Sequence, residues 1–68
     1  MLIPTFVLNM DVDNDAFGDN ATDRRREIAR ILANVEVKLM ESDLYAVHAE
    51  NLIDANGNTV GHCMIHWS

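Results

Sequence analysis

The sequence predicts an α+β fold in the order β-α-β-β, with a three-stranded, mostly antiparallel sheet and one helix packed on one face. Three observations predict it: an alternating apolar segment near the start, a long stretch of helical periodicity in the middle, and an Asn-Gly turn signal in the last third. At 68 residues, the chain is long enough for a single domain spanning residues 1–68.

The first strand is predicted over residues 5–12. Apolar side chains alternate with polar ones there, so Phe6, Leu8, Met10 and Val12 share one side of the strand. This spacing is typical of a half-buried strand whose apolar side faces the core.

The helix is predicted from Ala21 to Glu41, with Asn20 or Thr22 as its N-cap. Helical spacing collects one apolar stripe: Ile28, Ile31, Leu32, Val35 and Leu39. Polar residues occupy the opposite face: Glu27, Arg30, Asn34, Lys38 and Glu41. A weaker apolar flank runs beside the stripe: Ala29, Ala33, Val37 and Met40. Two explanations of the flank stay open, a deeply seated helix and contact with another chain.

The last part, residues 44–67, is predicted to be a hairpin that turns at Asn56-Gly57. A two-residue turn would pair Glu50 with Cys63 and mix charge with core on one face. A three-residue loop with Gly57 in the left-handed position sorts the side chains better, and we expect this register. It pairs Tyr45 with Trp67, Val47 with Ile65, and Ala49 with Cys63. We expect β3 to lie between β1 and β2; the sequential order 1-2-3 is the alternative.

This register turns a set of histidines away from the helix. The outward face then carries His48, Glu50, His62 and His66, interleaved with Leu52, Val60 and Met64. Neutral imidazoles and a carboxylate are ligands that Zn²⁺ accepts, and histidine titrates near neutral pH. A metal site, a pH-sensitive patch and a partner-binding face are therefore the functional alternatives to an ordinary solvated sheet. We predict no cofactor and no bound metal. The candidate ligands of the alternative, a metal site, are His48, Glu50, His62 and His66.

The charge balance narrows the classes of function. Eleven Asp and Glu against five Lys and Arg give a formal net charge of −6, which disfavours direct nucleic-acid binding. Cys63 is the only cysteine, so no internal disulfide forms. No apolar run approaches the ~20 residues of a membrane span, and the first ten residues lack the basic region of a secretory signal. We expect a protein of the host-cell cytoplasm. Because the sequence offers few side chains suited to nucleophilic catalysis, we also expect that the protein is not an enzyme.

Acidic residues are the main candidates for a binding site. The candidate partner-binding residues are Asp11, Asp13, Asp15, Asp19 and Asp23, with a second patch formed by Glu36, Glu41 and Asp43. The spacing Asp11-x-Asp13-x-Asp15 resembles the opening of a calcium loop, but Ala16 and Thr22 occupy the positions that require Gly and Glu. A loop that caps and turns the chain is the better interpretation.

Three sequence motifs carry a resemblance that extends over most of the chain. They are Asp13-Asn14-Asp15-Ala16-Phe17, then Glu27-x-Ala29-Arg30-Ile31-Leu32, then Leu52-x-Asp54-x-Asn56-Gly57-Asn58-x-Val60-Gly61. Together they resemble a widespread group of short phage and prophage proteins with a strand, an Asp/Asn loop, one helix and a closing hairpin. The resemblance implies turns, caps and core, and it brings no activity with it. In size and charge the chain is also similar to small inhibitors of host defence, including anti-CRISPR proteins.

The leading hypothesis is a small phage-type accessory protein that binds and inhibits a host protein with a basic surface. One example of such a partner is a nucleic-acid-binding defence complex such as CRISPR. The acidic residues would bind it by imitating the negative charge of nucleic acid. The alternative from another class is a structural homodimer, joined through the open sheet face or through the flank of Ala33, Val37 and Met40. A histidine-based metal-binding protein is the third hypothesis.

Overall fold

The computed structural model describes residues 1–41 and 49–68. Its elements are strand β1 (Pro4–Met10), a short 3₁₀ turn (Asp15–Phe17), helix α1 (Ala21–Glu41), strand β2 (Glu50–Ile53) and strand β3 (Thr59–Trp67). β3 is the central strand and pairs antiparallel with β1 on one side and β2 on the other. The predicted fold class and the predicted strand order are both confirmed.

Helix α1 begins and ends where the sequence predicted. The Asn20 Oδ1 atom accepts a hydrogen bond from the Asp23 backbone N–H at 2.9 Å, which identifies Asn20 and not Thr22 as the N-cap. The Asn20 amide also donates to the Asp23 carboxylate at 3.1 Å. The negative charge of Asp23 thus lies in the first helical turn, where the helix dipole favours it.

The buried side of α1 differs from the predicted stripe. Glu27, Ile31 and Val35 are its buried residues, and they follow one another at four-residue spacing along a single line of the helix. Leu32 and Leu39, which were predicted to be buried, are exposed, and Glu27, which was predicted to face solvent, is buried. The prediction was wrong because it centred the buried face on the most apolar line. Contacts with β2 rotate that face toward Glu27.

The hairpin combines the two registers that were compared in the sequence, one at its tip and the other farther along its strands. Its tip is the predicted three-residue loop: the Asp54 N–H donates to the Asn58 carbonyl at 2.9 Å, and Gly57 has a φ of 86°. Ile53 then pairs with Thr59, but Leu52 pairs with Gly61, so Val60 is an extra residue in β3. Beyond this bulge Glu50 lies opposite Cys63, and the predicted pairing of Ala49 with Cys63 is wrong.

The bulge changes which side chains face the helix. Leu52 and Val60, predicted to point outward, are both buried in the core, and Glu50 lies on the helix side, where it pairs with Lys38 at 3.5 Å. Cys63 is buried and His62 is exposed, as predicted. The predicted pairs of Tyr45 and Val47 fall in residues 42–48, outside the described part of the chain.

A small core joins the helix, the hairpin and the loop that follows β1. Its buried apolar residues are Phe17, Ile31, Val35, Leu52, Val60 and Cys63. Leu8, Met10 and Val12 pack against it from the β1 side, whereas Phe6 near the start of β1 remains exposed. In the part of the chain that the structure covers, no helix combines the length and apolar character needed to cross a bilayer.

Gly61 lies on β3 directly opposite Met10 of β1. A Cβ atom at this position would overlap the carbonyl oxygen of Asn9, which is backbone and cannot swing aside. At Gly57, by contrast, a Cβ atom would meet open space, and only the positive φ disfavours a side chain.

These two glycines give a matched pair of substitutions. We expect Gly61→Ala to lower the free energy of unfolding by about 3 kcal/mol, because β1 and β3 must separate locally. Gly57→Ala should cost only about 1–2 kcal/mol, the usual cost of left-handed backbone. Urea unfolding followed by circular dichroism measures both, and equal costs would contradict the close approach at Gly61.

Candidate partner-binding site

The loop between β1 and α1 exposes a group of aspartates. We call residues 11–19 the acidic loop; it carries Asp11, Asp13, Asp15 and Asp19, all exposed, and no Lys, Arg or His. Four of the predicted partner-binding residues therefore lie in one exposed loop. The fifth, Asp23, follows on the first turn of α1, where Arg26 approaches it at 4.0 Å.

The acidic loop is held to the body of the protein at its centre. Phe17 is fully buried in the core, and Asn14 caps the 3₁₀ turn by accepting a hydrogen bond from the Ala16 N–H at 2.9 Å. The Asn14 amide also donates to the Asp54 carboxylate at 2.7 Å, across forty positions of sequence. This hydrogen bond ties the loop to the tip of the hairpin, so the aspartates occupy defined positions.

Asp54 organises the hairpin turn from within. Its carboxylate accepts hydrogen bonds from the backbone N–H groups of Asn56 and Asn58, both at 2.9 Å, and from the Asn58 amide at 3.3 Å. Burial acts to raise the pKa of Asp54, but the hydrogen bonds from Asn58, Asn14 and Asn56 outweigh it and hold the pKa below its usual range. Asp54 is therefore a charged, fully partnered residue in a buried position.

Glu27 performs the corresponding task on the helix. Its two carboxylate oxygens accept from Arg30 Nε at 2.7 Å and Nη2 at 2.8 Å, and one of them also accepts from the Ala55 N–H at 2.8 Å. Arg30 Nη2 in addition donates to the Ile53 carbonyl at 3.2 Å. The side-chain hydrogen bond from Arg30 is the main reason that the pKa of Glu27 lies below its usual range.

We call Asn14, Glu27, Arg30 and Asp54 the polar junction. One or two of its members come from each of the three sequence motifs given above, and the junction is where those distant motifs meet. Sequence reasoning gave none of these residues a site role, although the spacing Asp54-x-Asn56-Gly57-Asn58 signals a turn held by a side chain. The three motifs thus supply the residues that hold the acidic loop in position.

The remaining acidic candidates do not join the acidic loop. Glu36 and Glu41 are both exposed on the second half of α1, but at about 100° per residue they lie on different sides of the helix. Glu41 borders a groove beside β2, whereas Glu36 does not line this groove. Glu36 and Glu41 therefore do not form the single second patch that was predicted for them together with Asp43. Asp43 itself lies outside the described residues.

The histidine face is only partly as predicted. His62 and His66 are exposed on the side of the sheet away from α1, in rows with Asn9 and Thr5 respectively. Four residues apart on one strand, they are about 13 Å apart, too far to ligate the same ion. Glu50 faces the helix instead, which corrects its placement in this group, and His48 lies in the undescribed range. Within residues 1–41 and 49–68, no cluster of three or more His, Cys, Asp or Glu is placed to hold a metal ion.

A groove of about 240 Å³ runs between the second half of α1 and β2. Ile31, Val35, Leu52 and Cys63 form its apolar floor, and the Lys38–Glu50 ion pair lies at its rim. Burial, reinforced by the Glu50 carboxylate, raises the pKa of the Cys63 thiol. This thiol stays protonated near neutral pH and is not an activated nucleophile.

Comparisons with protein-family models, with curated proteins and with solved structures give no match to this chain.

The polar junction predicts a loss of stability in acid. The pKa values of Glu27 and Asp54 are lowered in the folded state, so the unfolded chain binds more protons once the pH falls below about 4.5. Stability is then fully present at neutral pH and falls as the pH drops through the lowered values. Urea unfolding at neutral pH and near pH 3 should show this loss. The loss should be smaller in Glu27→Gln and Asp54→Asn; an undiminished loss in both variants would contradict the assignment.

Removing the Glu27 carboxylate should destabilise the fold. We expect Glu27→Ala to lower the free energy of unfolding by about 2 kcal/mol, because it leaves the Ala55 N–H without its acceptor and Arg30 without its partner. The matched control is Glu36→Ala, which removes the same side chain from an exposed position of the same helix. It should change the stability by less than about 0.5 kcal/mol, as measured by the same unfolding experiment.

Proposed function

We propose that this protein is a small, non-enzymatic, phage-type accessory protein that binds and inhibits a host protein through the acidic loop. The observation that carries the proposal is the exposure of Asp11, Asp13, Asp15 and Asp19 on a loop that Phe17 and Asn14 anchor to the fold. The chemistry of such a surface selects a partner with a basic patch.

The anchoring of the acidic loop by Phe17 and Asn14 also favours tight binding to a partner. A loop that is already ordered loses little conformational entropy when a partner binds, so more of the electrostatic attraction remains as affinity. The concentrated negative charge also accelerates encounter with a basic surface, by a factor of ten or more at low salt.

The neighbouring arginines cancel only part of this charge. Arg24, Arg25 and Arg26 are consecutive on α1 and therefore fan out over about 200° of the helix. Arg26 contacts Asp23 and also lines a shallow hollow together with Asp15 of the acidic loop. The acidic loop and Asp23 together carry five negative charges against these three positive ones, so this region stays net negative.

Proteins that handle nucleic acids are the partner class that fits this surface best. Their grooves recognise backbone phosphate mainly through charge, and rigidly held carboxylates present charge of the same sign. A defence complex such as CRISPR is an example of the class. Occupation of such a groove by the acidic loop would block the nucleic acid, which is the proposed mode of inhibition.

The test begins with immobilised protein and a bacterial host lysate at low salt. A retained protein is identified, purified and titrated with the wild type and with Asp13→Asn/Asp15→Asn/Asp19→Asn at several salt concentrations. We expect the triple variant to bind about tenfold more weakly at low salt and to show a flatter dependence on salt. We also expect the wild type to compete with nucleic acid for the retained protein.

A second triple variant, Glu36→Gln/Glu41→Gln/Glu50→Gln, changes the net charge by the same amount away from the acidic loop. It should retain most of the affinity, because the loop and its anchors are intact. Equal losses in the two variants would mean that net charge alone matters. Unchanged affinity in the loop variant, or binding without competition by nucleic acid, would contradict the proposal.

A further inference from the structure

The hairpin tip contains an asparagine that the polar junction does not use. Asn56 is followed by Gly57, and both residues are exposed. The backbone N–H of Asn56 takes part in the turn, where it donates to the Asp54 carboxylate at 2.9 Å. Its side-chain amide, however, has no hydrogen-bond partner among the residues that the structure describes. The Asn56 side chain can therefore turn toward the main chain that follows it without breaking a contact.

Asn56 is the one asparagine of seven that precedes a glycine. The other six are followed by residues with a Cβ atom: Asn9, Asn14, Asn20, Asn34, Asn51 and Asn58. A Cβ atom on the following residue crowds the nitrogen of the intervening peptide bond, and glycine removes that crowding. The surroundings of Gly57 are open as well, since even an added Cβ would meet no atom within 4 Å. The Gly57 nitrogen is thus within reach of the Asn56 side chain.

One hydrogen bond holds the Gly57 nitrogen in the folded turn. The Gly57 N–H donates to the Asp54 carbonyl at 3.1 Å, at the exposed end of the hairpin. A single peptide hydrogen bond contributes little net free energy, and local opening at an exposed loop is frequent. The turn therefore slows attack by this nitrogen but does not prevent it.

We propose that Asn56 is a site of spontaneous deamidation, in which Gly57 supplies the attacking nitrogen and water is the co-reactant. Asparagine is among the thermolabile residues of proteins. The Gly57 amide gives up its proton to the solvent, and its nitrogen forms a bond to Cγ of Asn56. The Cγ–Nδ2 bond then breaks, and Nδ2 takes a proton from the solvent and leaves as ammonia. The product is a five-membered succinimide ring that contains the peptide bond.

Water opens this ring at either of its two carbonyl carbons. Addition at Cγ breaks the new N–Cγ bond and leaves an aspartate at position 56 in an unchanged main chain. Addition at the main-chain carbonyl carbon breaks the original peptide bond instead, so the main chain passes through Cβ and Cγ as an isoaspartate. Both routes replace the amide NH2 by a hydroxyl and involve no oxidation or reduction. Each product carries a carboxyl group that is ionised near neutral pH, which adds one negative charge to the tip.

The two products have different consequences for the turn. Hydrogen bonds from both sides of the 56–57 link converge on Asp54: the N–H groups of Asn56 and Asn58 donate to its carboxylate, and the Gly57 N–H donates to its carbonyl. An isoaspartate inserts one extra main-chain atom into this closed turn, so these hydrogen bonds cannot all be kept. Asp54 is buried, and Asn14 of the acidic loop donates to the same carboxylate. The isoaspartyl form should therefore lose stability and loosen the acidic loop, whereas the aspartyl form adds only charge.

The test follows the full chain, folded in buffer near neutral pH, over days of incubation. Samples are digested and analysed by mass spectrometry, which detects the replacement of NH2 by OH, and isoaspartate is identified by enzymatic methylation. We expect conversion at Asn56 to be at least about tenfold faster than at any of the other six asparagines. It should also be faster at higher pH, because removal of the Gly57 proton becomes easier.

Asn56→Gln is the matched control. A glutamine amide would have to close a larger ring, and the Asn56 side chain makes no hydrogen bond that the substitution would remove. We expect this variant to be folded by circular dichroism and to show no conversion at position 56. Asn56→Asp reproduces the aspartyl product alone, and its urea midpoint should stay close to that of the wild type. The isoaspartyl form, separated from aged protein by ion exchange, should unfold at a lower urea concentration.

Conversion at Asn56 that is no faster than at the other asparagines would overturn the proposal. Conversion that occurs only when the chain is unfolded in urea would also overturn it, because the folded turn would then protect Gly57. An isoaspartyl form that unfolds at the same urea concentration as fresh protein would reject the effect on the Asp54 turn. These measurements involve no host protein, so their outcome is independent of the proposed function.

Discussion

The Glu27 carboxylate joins the elements that this small fold must hold together. It accepts hydrogen bonds from Arg30 on its own helix and from Ala55 in the hairpin loop, while Arg30 reaches the Ile53 carbonyl. Removal of a charge from water is costly unless the group is well hydrogen-bonded, and the Glu27 carboxylate accepts three short hydrogen bonds, two of them from a guanidinium. The helix is therefore fixed against β2 at a defined position along its axis.

Asp54 extends the same constraint to the first loop. Because Asn14 donates to it while Asn56 and Asn58 close the hairpin around it, the turn and the acidic loop form together. The polar junction thus connects residues that are forty positions apart, with few apolar side chains at hand. In a chain with so small a core, this hydrogen bonding supplies specificity that packing alone would not.

Local features of the fold could be predicted from the sequence, whereas the exceptions depend on contacts between distant residues. The bounds of α1, the Asn20 cap and the three-residue turn at Gly57 follow from spacing and turn chemistry within a few residues. The bulge at Val60 could not be found this way, because it reconciles the local geometry of the turn with a non-local requirement, the burial of Leu52 in the core. Sorting side chains between two regular registers excluded the mixed register that occurs.

The candidate site shows the same division. The acidic residues of the loop were evident from composition, and their exposure required only a loop. The burial of Glu27 was missed because a charged residue on an amphipathic helix ordinarily faces water, and its partner Ala55 contributes only a backbone N–H. The separation of Glu36 from Glu41 follows from helical geometry and was available from the sequence. The exposure of Leu32 and Leu39 was not, since it depends on where the sheet lies beneath the helix.

The central place of β3 also determines when this chain can acquire its structure during synthesis. β1 and β2 both pair antiparallel with β3, which the ribosome makes after them, and within the described sheet neither has a hydrogen-bonding partner until β3 appears. Before that point the described structure that can form is local: α1, the 3₁₀ turn at Asp15–Phe17 and the Asp54 turn. A chain truncated before residue 59 therefore has two strands without partners, and their free hydrogen-bonding edges promote aggregation.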